Sequence, residues 1–286
     1  MNDITHSQVP SPGLRINPVQ ALKVVVYSLL LVNFVLYIRN DIQIAAHTYH
    51  AGWTLVDWSS AYATTLGLTA WFMLLLLFEL ETYILPEAWF TKLRLRMIHG
   101  IRLLCYVFIA NTLFAFTDYA IKLHAAEPVE GTTLCTFADQ DLSFTSNIEY
   151  TELNPENCET LSDANRFYIF EEGTLITDGA GMRIERELAW SWVVEAAVWL
   201  LILALIETAV RMQDRGITRG RALRLITATR WCLFGVLWIT ALFWISYGHW
   251  LFAWDASLWI LGFTAIGMNL SAWRDEIEEQ AGPTPA

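Results

Sequence analysis

A chain of 286 residues that is 55% hydrophobic, carries 14 tryptophans and has a mean hydropathy of +0.38 is too apolar for an ordinary soluble domain. Its formal net charge of −11 has a local origin: 14 of the Asp and Glu residues, against four basic ones, fall between Ile121 and Glu187. A nucleic-acid partner is excluded there, because binding a phosphate backbone requires the opposite sign of charge.

Taken along the chain, stretches of roughly 20 mostly apolar residues predict six membrane-spanning helices, at about 20–38, 60–82, 98–121, 188–208, 225–248 and 252–273. Residues 1–19 form a polar tail with Pro10, Pro12 and Pro18. With no dense basic cluster and no small-residue cleavage site, the first span reads as an uncleaved anchor. Its apolar run contains Asn33, and Lys23 and Arg39 can snorkel at its ends. The outer loop that follows carries His47 and His50, a His-x-x-His pair. Two ligands alone make a poor zinc site, so these are weak metal candidates.

The second span closes on Leu80-Glu81-Thr82 and turns through Lys92, Arg94 and Arg96. The fourth closes on Ile206-Glu207-Thr208 and turns through Arg215, Arg219, Arg221 and Arg224. The echo points to two hairpins of the same orientation, with Glu81 and Glu207 either clamped to nearby arginines or forming a cytoplasmic vestibule for cations. In the third span Asn111, Ala115 and Asp118 share one helical stripe. Asp118 also stands four residues before Lys122, the spacing of an i,i+4 ion pair.

Residues 122–187 are too long for a passive connection. Runs favourable to strand at Thr132 to Phe137, Leu142 to Tyr150 and Phe167 to Thr177, parted by Asn-Pro and Asp-Gly turns, predict a small, mainly β cap. Cys135 and Cys158 lie in this segment on the side where an oxidising compartment permits a disulfide. A bridge there stabilises the cap by about 3 kcal/mol in the chain-entropy model. In the fourth span Glu195 sits six residues inside the outer edge, about 9 Å down the helix axis. It is either an ion or proton site facing the bundle interior or a neutral hydrogen-bonded carboxyl holding helices together. The remaining residues, 274–286, form a second polar tail.

Placing both termini and both basic turns on one side gathers 13 of the 18 basic residues there, so both termini are expected in the cytoplasm and the cap outside. The fold class expected is therefore an all-α polytopic membrane protein of six transmembrane helices. A disulfide-stapled, mainly β extracytoplasmic insertion lies between helices 3 and 4. A bacterial inner membrane is the compartment expected. The lipid bilayer and either a second copy or another membrane protein are the partners. No cofactor is expected: no facing mid-membrane histidines suit haem, and no glycine loop suits phosphate.

Three function classes remain open. The first is a channel or transporter for a cation or proton, with Glu195, Asp118, Asn111, Glu81 and Glu207 as stations along its path. The second is a non-catalytic accessory or scaffold subunit. The third is an intramembrane enzyme acting on lipid or quinone, for which the sequence offers no constellation of nucleophile, base and metal.

Overall fold

The computed structural model describes residues 18–80, 91–217 and 220–264. It is mostly helical, with one small mixed sheet and one disulfide. Helix α1 spans Pro18–Thr48, α2 Leu55–Ala61, α3 Ala63–Glu79 and α4 Lys92–Ala125. After the sheet come α6, Gly179–Asp214, and α7, Arg221–Ser246; helix α8 runs over 250–264.

Four of these helices are long and apolar enough to cross a membrane, or five if α2 and α3 form one bent span. Large apolar side chains stand on their outer surfaces, with Val24, Val35, Leu103 and Ile239 each more than 60% exposed. Such surface suits hydrocarbon and is costly in water. Of the sixth expected span only the part up to residue 264 lies within the described residues.

The first two expected spans differ from the sequence reading. Helix α1 runs on to Thr48, so Asn40 and Asp41 belong to a helix and not to a loop. The second span is broken at Tyr62, where α2 and α3 meet at 73°. Thr54 starts α2 with a capping box: its hydroxyl accepts from the Asp57 N–H, and its own N–H donates to Asp57 Oδ2. The break leaves the first N–H groups of α3 without helical partners. Asp41 answers one of them across the bundle, its Oδ2 accepting from both the Thr65 N–H (2.9 Å) and the Thr65 hydroxyl (2.7 Å).

In a bilayer, helices associate through close packing and interhelical hydrogen bonds because lipid tails are as apolar as leucine. Helix α3 accordingly presents small residues, Ala63, Gly67 and Ala70, toward α4. Thr112 of α4 donates to the Ala63 carbonyl at 3.0 Å. Val26, Leu30 and Tyr37 of α1 pack with Leu68 of α3 and Leu258 and Trp259 of α8. Ile260 of α8 also joins Ile202 of α6 and Leu237 of α7.

The insertion carries strands β1, Pro128–Glu130; β2, Ser143–Ser146; β3, Glu149–Glu152; β4, Arg166–Phe170; and β5, Leu175–Asp178, with a short helix α5 at Cys158–Leu161. Their order in the sheet is β1-β4-β5-β2-β3, antiparallel except for the parallel β2–β5 pair. Cys135 and Cys158 are bonded, tying a 3-10 turn at Leu134–Phe137 to α5 over a core of Leu142, Phe144, Phe167 and Ile176.

Of the three expected strand runs, Thr132 to Phe137 instead forms that turn, which brings Leu134 and Phe137 to the same side, both buried. The other two runs each fold into a pair of strands. Their reversals occur at Asn147-Ile148 and Glu171-Glu172-Gly173, all of positive φ. Helices α4 and α6 reach into the expected cap at both ends, so that the cap proper occupies 126–178.

The Asn147-Ile148 tip plants the cap on the bundle. Its Asn147 Nδ2 donates to the Tyr247 carbonyl at 3.0 Å and its Oδ1 meets His249 Nε2 at 3.0 Å. The Ile148 N–H donates to Glu185 Oε1 at 2.9 Å. Ile148 packs beside Leu188 and Trp244. A β-branched residue in the left-handed region is strained, by roughly 1 to 3 kcal/mol, and holds there only because these contacts over-determine it.

Candidate functional site

Beneath the cap, α2 and the cap-side parts of α1, α3, α4, α6 and α8 line a cavity of about 410 Å³. This is the volume range of a small-molecule site. Its acidic side chains come from six separate segments. Helix α1 supplies Asp41, α2 Asp57, α4 Asp118, α6 Glu195 and α8 Asp255, while the cap adds Glu171 and Glu172. Against these seven carboxyls the wall carries a single lysine, Lys122, and one histidine, His50.

Both basic groups are already engaged. Lys122 Nζ lies 2.8 Å from Asp118 Oδ2, one turn along α4, and His50 Nε2 lies 2.8 Å from Glu172 Oε2 across the mouth. Asp57 is spent on the cap of α2, where its Oδ2 accepts from the Thr54 N–H at 2.6 Å. Three acids deeper in the cavity remain without a cationic partner among the described residues, Asp41, Glu195 and Asp255, while Glu171 at the mouth faces Lys122.

Each of the deeper three is held in place by a neighbour. Glu195 Oε2 accepts from the Trp244 indole N–H at 3.1 Å. Asp255 accepts from the Asn33 amide. Asp41 is only 4% exposed; Thr65 takes its Oδ2, which leaves Oδ1 with no hydrogen bond among the described residues. The phenol of Tyr37, one turn from Asp41 on α1, stands close enough to feel Asp255, Glu195 and Asp41 together.

Aromatic rings form the floor. Trp71 of α3 touches Trp199 of α6 (ring centroids 6.1 Å), Trp259 of α8 (5.9 Å) and Phe263 of α8 (5.5 Å). All four rings line the cavity. Its wall is thus acidic above and aromatic below.

The mouth is built by the cap. Glu171 and Glu172 are both left-handed, at φ 47° and 55°. Burial pushes the Glu171 carboxyl above its ordinary range, with Lys122 opposing. His47 Nδ1 meets Ser143 Oγ at 2.9 Å and its ring stacks on Tyr150 at 5.7 Å. The His-x-x-His pair therefore splits, each ring joining the end of α1 to a different point of the cap. No three His, Cys, Asp or Glu side chains among the described residues form a metal-binding group.

Of the residues singled out in the sequence, Glu195 and Asp118 meet in this cavity. Asn111 lies outside its wall, donating to the Ser59 carbonyl of α2 at 3.4 Å. Glu207 is remote from it: Tyr106 of α4 donates to its Oε1, and Arg211 lies 3.7 Å from its Oε2, an arrangement that clamps α4 to α6. Glu81 falls outside the described residues.

The sequence reading does not single out Asp41 or Asp255: the first expected span ends at residue 38, short of Asp41, and Asp255 stands at the start of the sixth. The signal was present: Asn33, Tyr37 and Asp41 recur every four residues along α1, and Asp255, Trp259 and Phe263 along α8. No protein-family model, no curated protein and no solved structure matches this chain.

Proposed function

We propose that this chain is a multi-pass membrane protein, with six spans and both termini in the cytoplasm of a bacterial inner membrane, that takes up a cation or proton from the outer side and carries it inward. The observation that carries this reading is the excess of carboxyls in the cavity. Three acids with no cationic partner among the described residues, Asp41, Glu195 and Asp255, gather where burying even one charge is costly. A cation entering the cavity supplies the missing countercharge. The cap adds an acidic mouth that raises the local concentration of cations.

The opposite end supports the same direction. The Tyr106, Glu207 and Arg211 contacts hold α4 against α6 near the basic turn, away from the cavity wall. An outward-open, inward-closed arrangement is one of the two end states of an alternating-access carrier.

The test is flux in liposomes reconstituted with the full chain, following protons with an entrapped pH dye and monovalent cations with an entrapped ion indicator. Flux that falls at least tenfold in both Glu195→Gln and Asp255→Asn supports the proposal. Absence of flux from folded protein, together with a stable hetero-complex on gentle native purification, overturns it in favour of an accessory subunit.

A further inference from the structure

Resting on the cation-uptake reading and narrowing it, we infer that the ligand of this cavity is an organic ammonium cation with an apolar body, and not a bare metal ion. The argument starts from what each kind of cation needs. A small hard ion such as Na⁺ or Mg²⁺ needs a close shell of oxygen ligands. Here the carboxyls are dispersed over α1, α6, α8 and the cap, and no metal-binding group forms among the described residues.

An alkylated ammonium needs something different: carboxylates at a distance for its charge, and ring faces against which its methyl or methylene groups can rest. The cavity offers both in the same space. Trp71, Trp199, Trp259 and Phe263 form a cluster of edge-to-face and tilted ring contacts with centroids 5.5 to 6.1 Å apart and line the floor, with Glu195 and Asp255 one helical turn from Trp199 and Trp259. The volume, about 410 Å³, holds a ligand of drug-like size and is far larger than a dehydrated metal ion.

Two features tie the acids to the cavity as well as to their helix contacts. Asp41, nearly fully buried on the cavity wall, retains an oxygen with no donor among the described residues, so its carboxyl is not exhausted by the cap it provides to α3. Trp199 and Trp259 lie one helical turn beyond Glu195 and Asp255 on α6 and α8, so each of these two helices presents a carboxyl and an indole to the same space.

The experiment uses the full chain in lipid nanodiscs and two probes of the same shape: benzyltrimethylammonium and its uncharged carbon isostere, neopentylbenzene. Binding is read by quenching of tryptophan fluorescence and checked by calorimetry. The inference expects saturable binding of benzyltrimethylammonium, at least tenfold weaker binding of neopentylbenzene, and at least tenfold weaker binding of tetramethylammonium, which keeps the charge and lacks the ring. It also expects no displacement by millimolar Na⁺ or Mg²⁺.

Asp255→Asn with Glu195→Gln should abolish the preference for charge, while Trp259→Ala should weaken the benzyl probe more than tetramethylammonium. Equal binding of the charged and uncharged probes by the unaltered protein overturns the inference without recourse to any variant, as does absence of saturable binding. Transport of protons or Na⁺ with no binding of the organic cation overturns it and leaves the broader uptake reading standing. Binding of the organic cation with no flux of any ion does the reverse.

Discussion

Substituting Gly67 by alanine tests how α3 and α4 are brought together at the cavity wall. A Cβ built on Gly67 lies 2.6 Å from the hydroxyl oxygen of Thr112, which is 0.8 Å inside the 3.4 Å at which ordinary contact begins. That hydroxyl has one hydrogen to give and faces the carbonyls of Ala63 (3.0 Å) and Phe108 (3.2 Å). To admit the methyl group, either Thr112 rotates and loses the bond to Ala63, or α3 moves off α4. The first route costs about 0.6 kcal/mol, the average for interhelical hydrogen bonds in a bilayer, and at most about 1.7 kcal/mol, and the second about 1 to 3 kcal/mol by overpacking. We expect Gly67→Ala to destabilise by about 1 to 3 kcal/mol in unfolding titrations with a denaturing detergent, followed by circular dichroism. In a Thr112→Ala background the clashing oxygen is gone and the next nearest atom, Thr112 Cβ at 3.6 Å, remains in ordinary contact. The same substitution should then cost measurably less, because the blocking oxygen is absent and alanine is favoured over glycine in a helix interior by about 0.5 to 1 kcal/mol. Equal costs in the two backgrounds would refute the idea that this hydroxyl fills the glycine notch.

Removing the Cys135–Cys158 bridge by paired substitution to alanine opens a loop of 23 residues' separation and should lower the stability of the cap by about 3 kcal/mol in the chain-entropy account. Limited proteolysis of the cap, with and without reductant, measures this, and protection unchanged by either treatment contradicts the role of a staple. A pH effect is expected from His249, which stands outside the apolar spans between α7 and α8. Burial holds its pKa below the ordinary 6.5, with Glu149 opposing. The unfolded chain therefore binds the proton more readily than the folded one, so the stability His249 contributes is complete above about pH 6.5 and declines as the pH falls below it. The apparent melting temperature should drop between pH 7.5 and 5.5, and the drop should shrink in His249→Asn; an identical drop in the variant removes His249 as the cause.

The apolar spans were legible because lipid-facing helices need only be apolar along their length, and that shows in composition alone. Strand-forming runs and paired cysteines likewise announced a small stapled sheet between α4 and α6. What escaped the sequence were the points where tertiary contacts override local signals. Tyr62 breaks a span without glycine or proline, because Asp41 from another helix supplies the missing acceptor to Thr65. Asn147 and Ile148 reverse a hairpin without glycine, because Glu185, Tyr247 and His249 hold the tip from the bundle side. The cavity suffered from the same limit. Glu195 was conspicuous within an apolar run, whereas Asp41 and Asp255 lay near the ends of theirs, and only the extension of α1 to Thr48 and the start of α8 at 250 turn those ends into walls.

The cap and the cavity are parts of one construction. The chain leaves α4 at Ala126 and rejoins the bundle at Gly179, and the intervening sheet would be an ornament if its only contacts were its own core. Instead the β4–β5 reversal forces Glu171 and Glu172 into left-handed backbone, a conformation that costs non-glycine residues about 1 to 2 kcal/mol each. Both residues line the mouth of the acidic cavity, and Glu172 meets His50 across it. Glycine would fit that backbone without strain and would remove both charges. Two adjacent glutamates at strained positions, beside a glycine that already serves the turn, fit a segment shaped by its side chains' work at the entrance more closely than one shaped by the stability of the sheet.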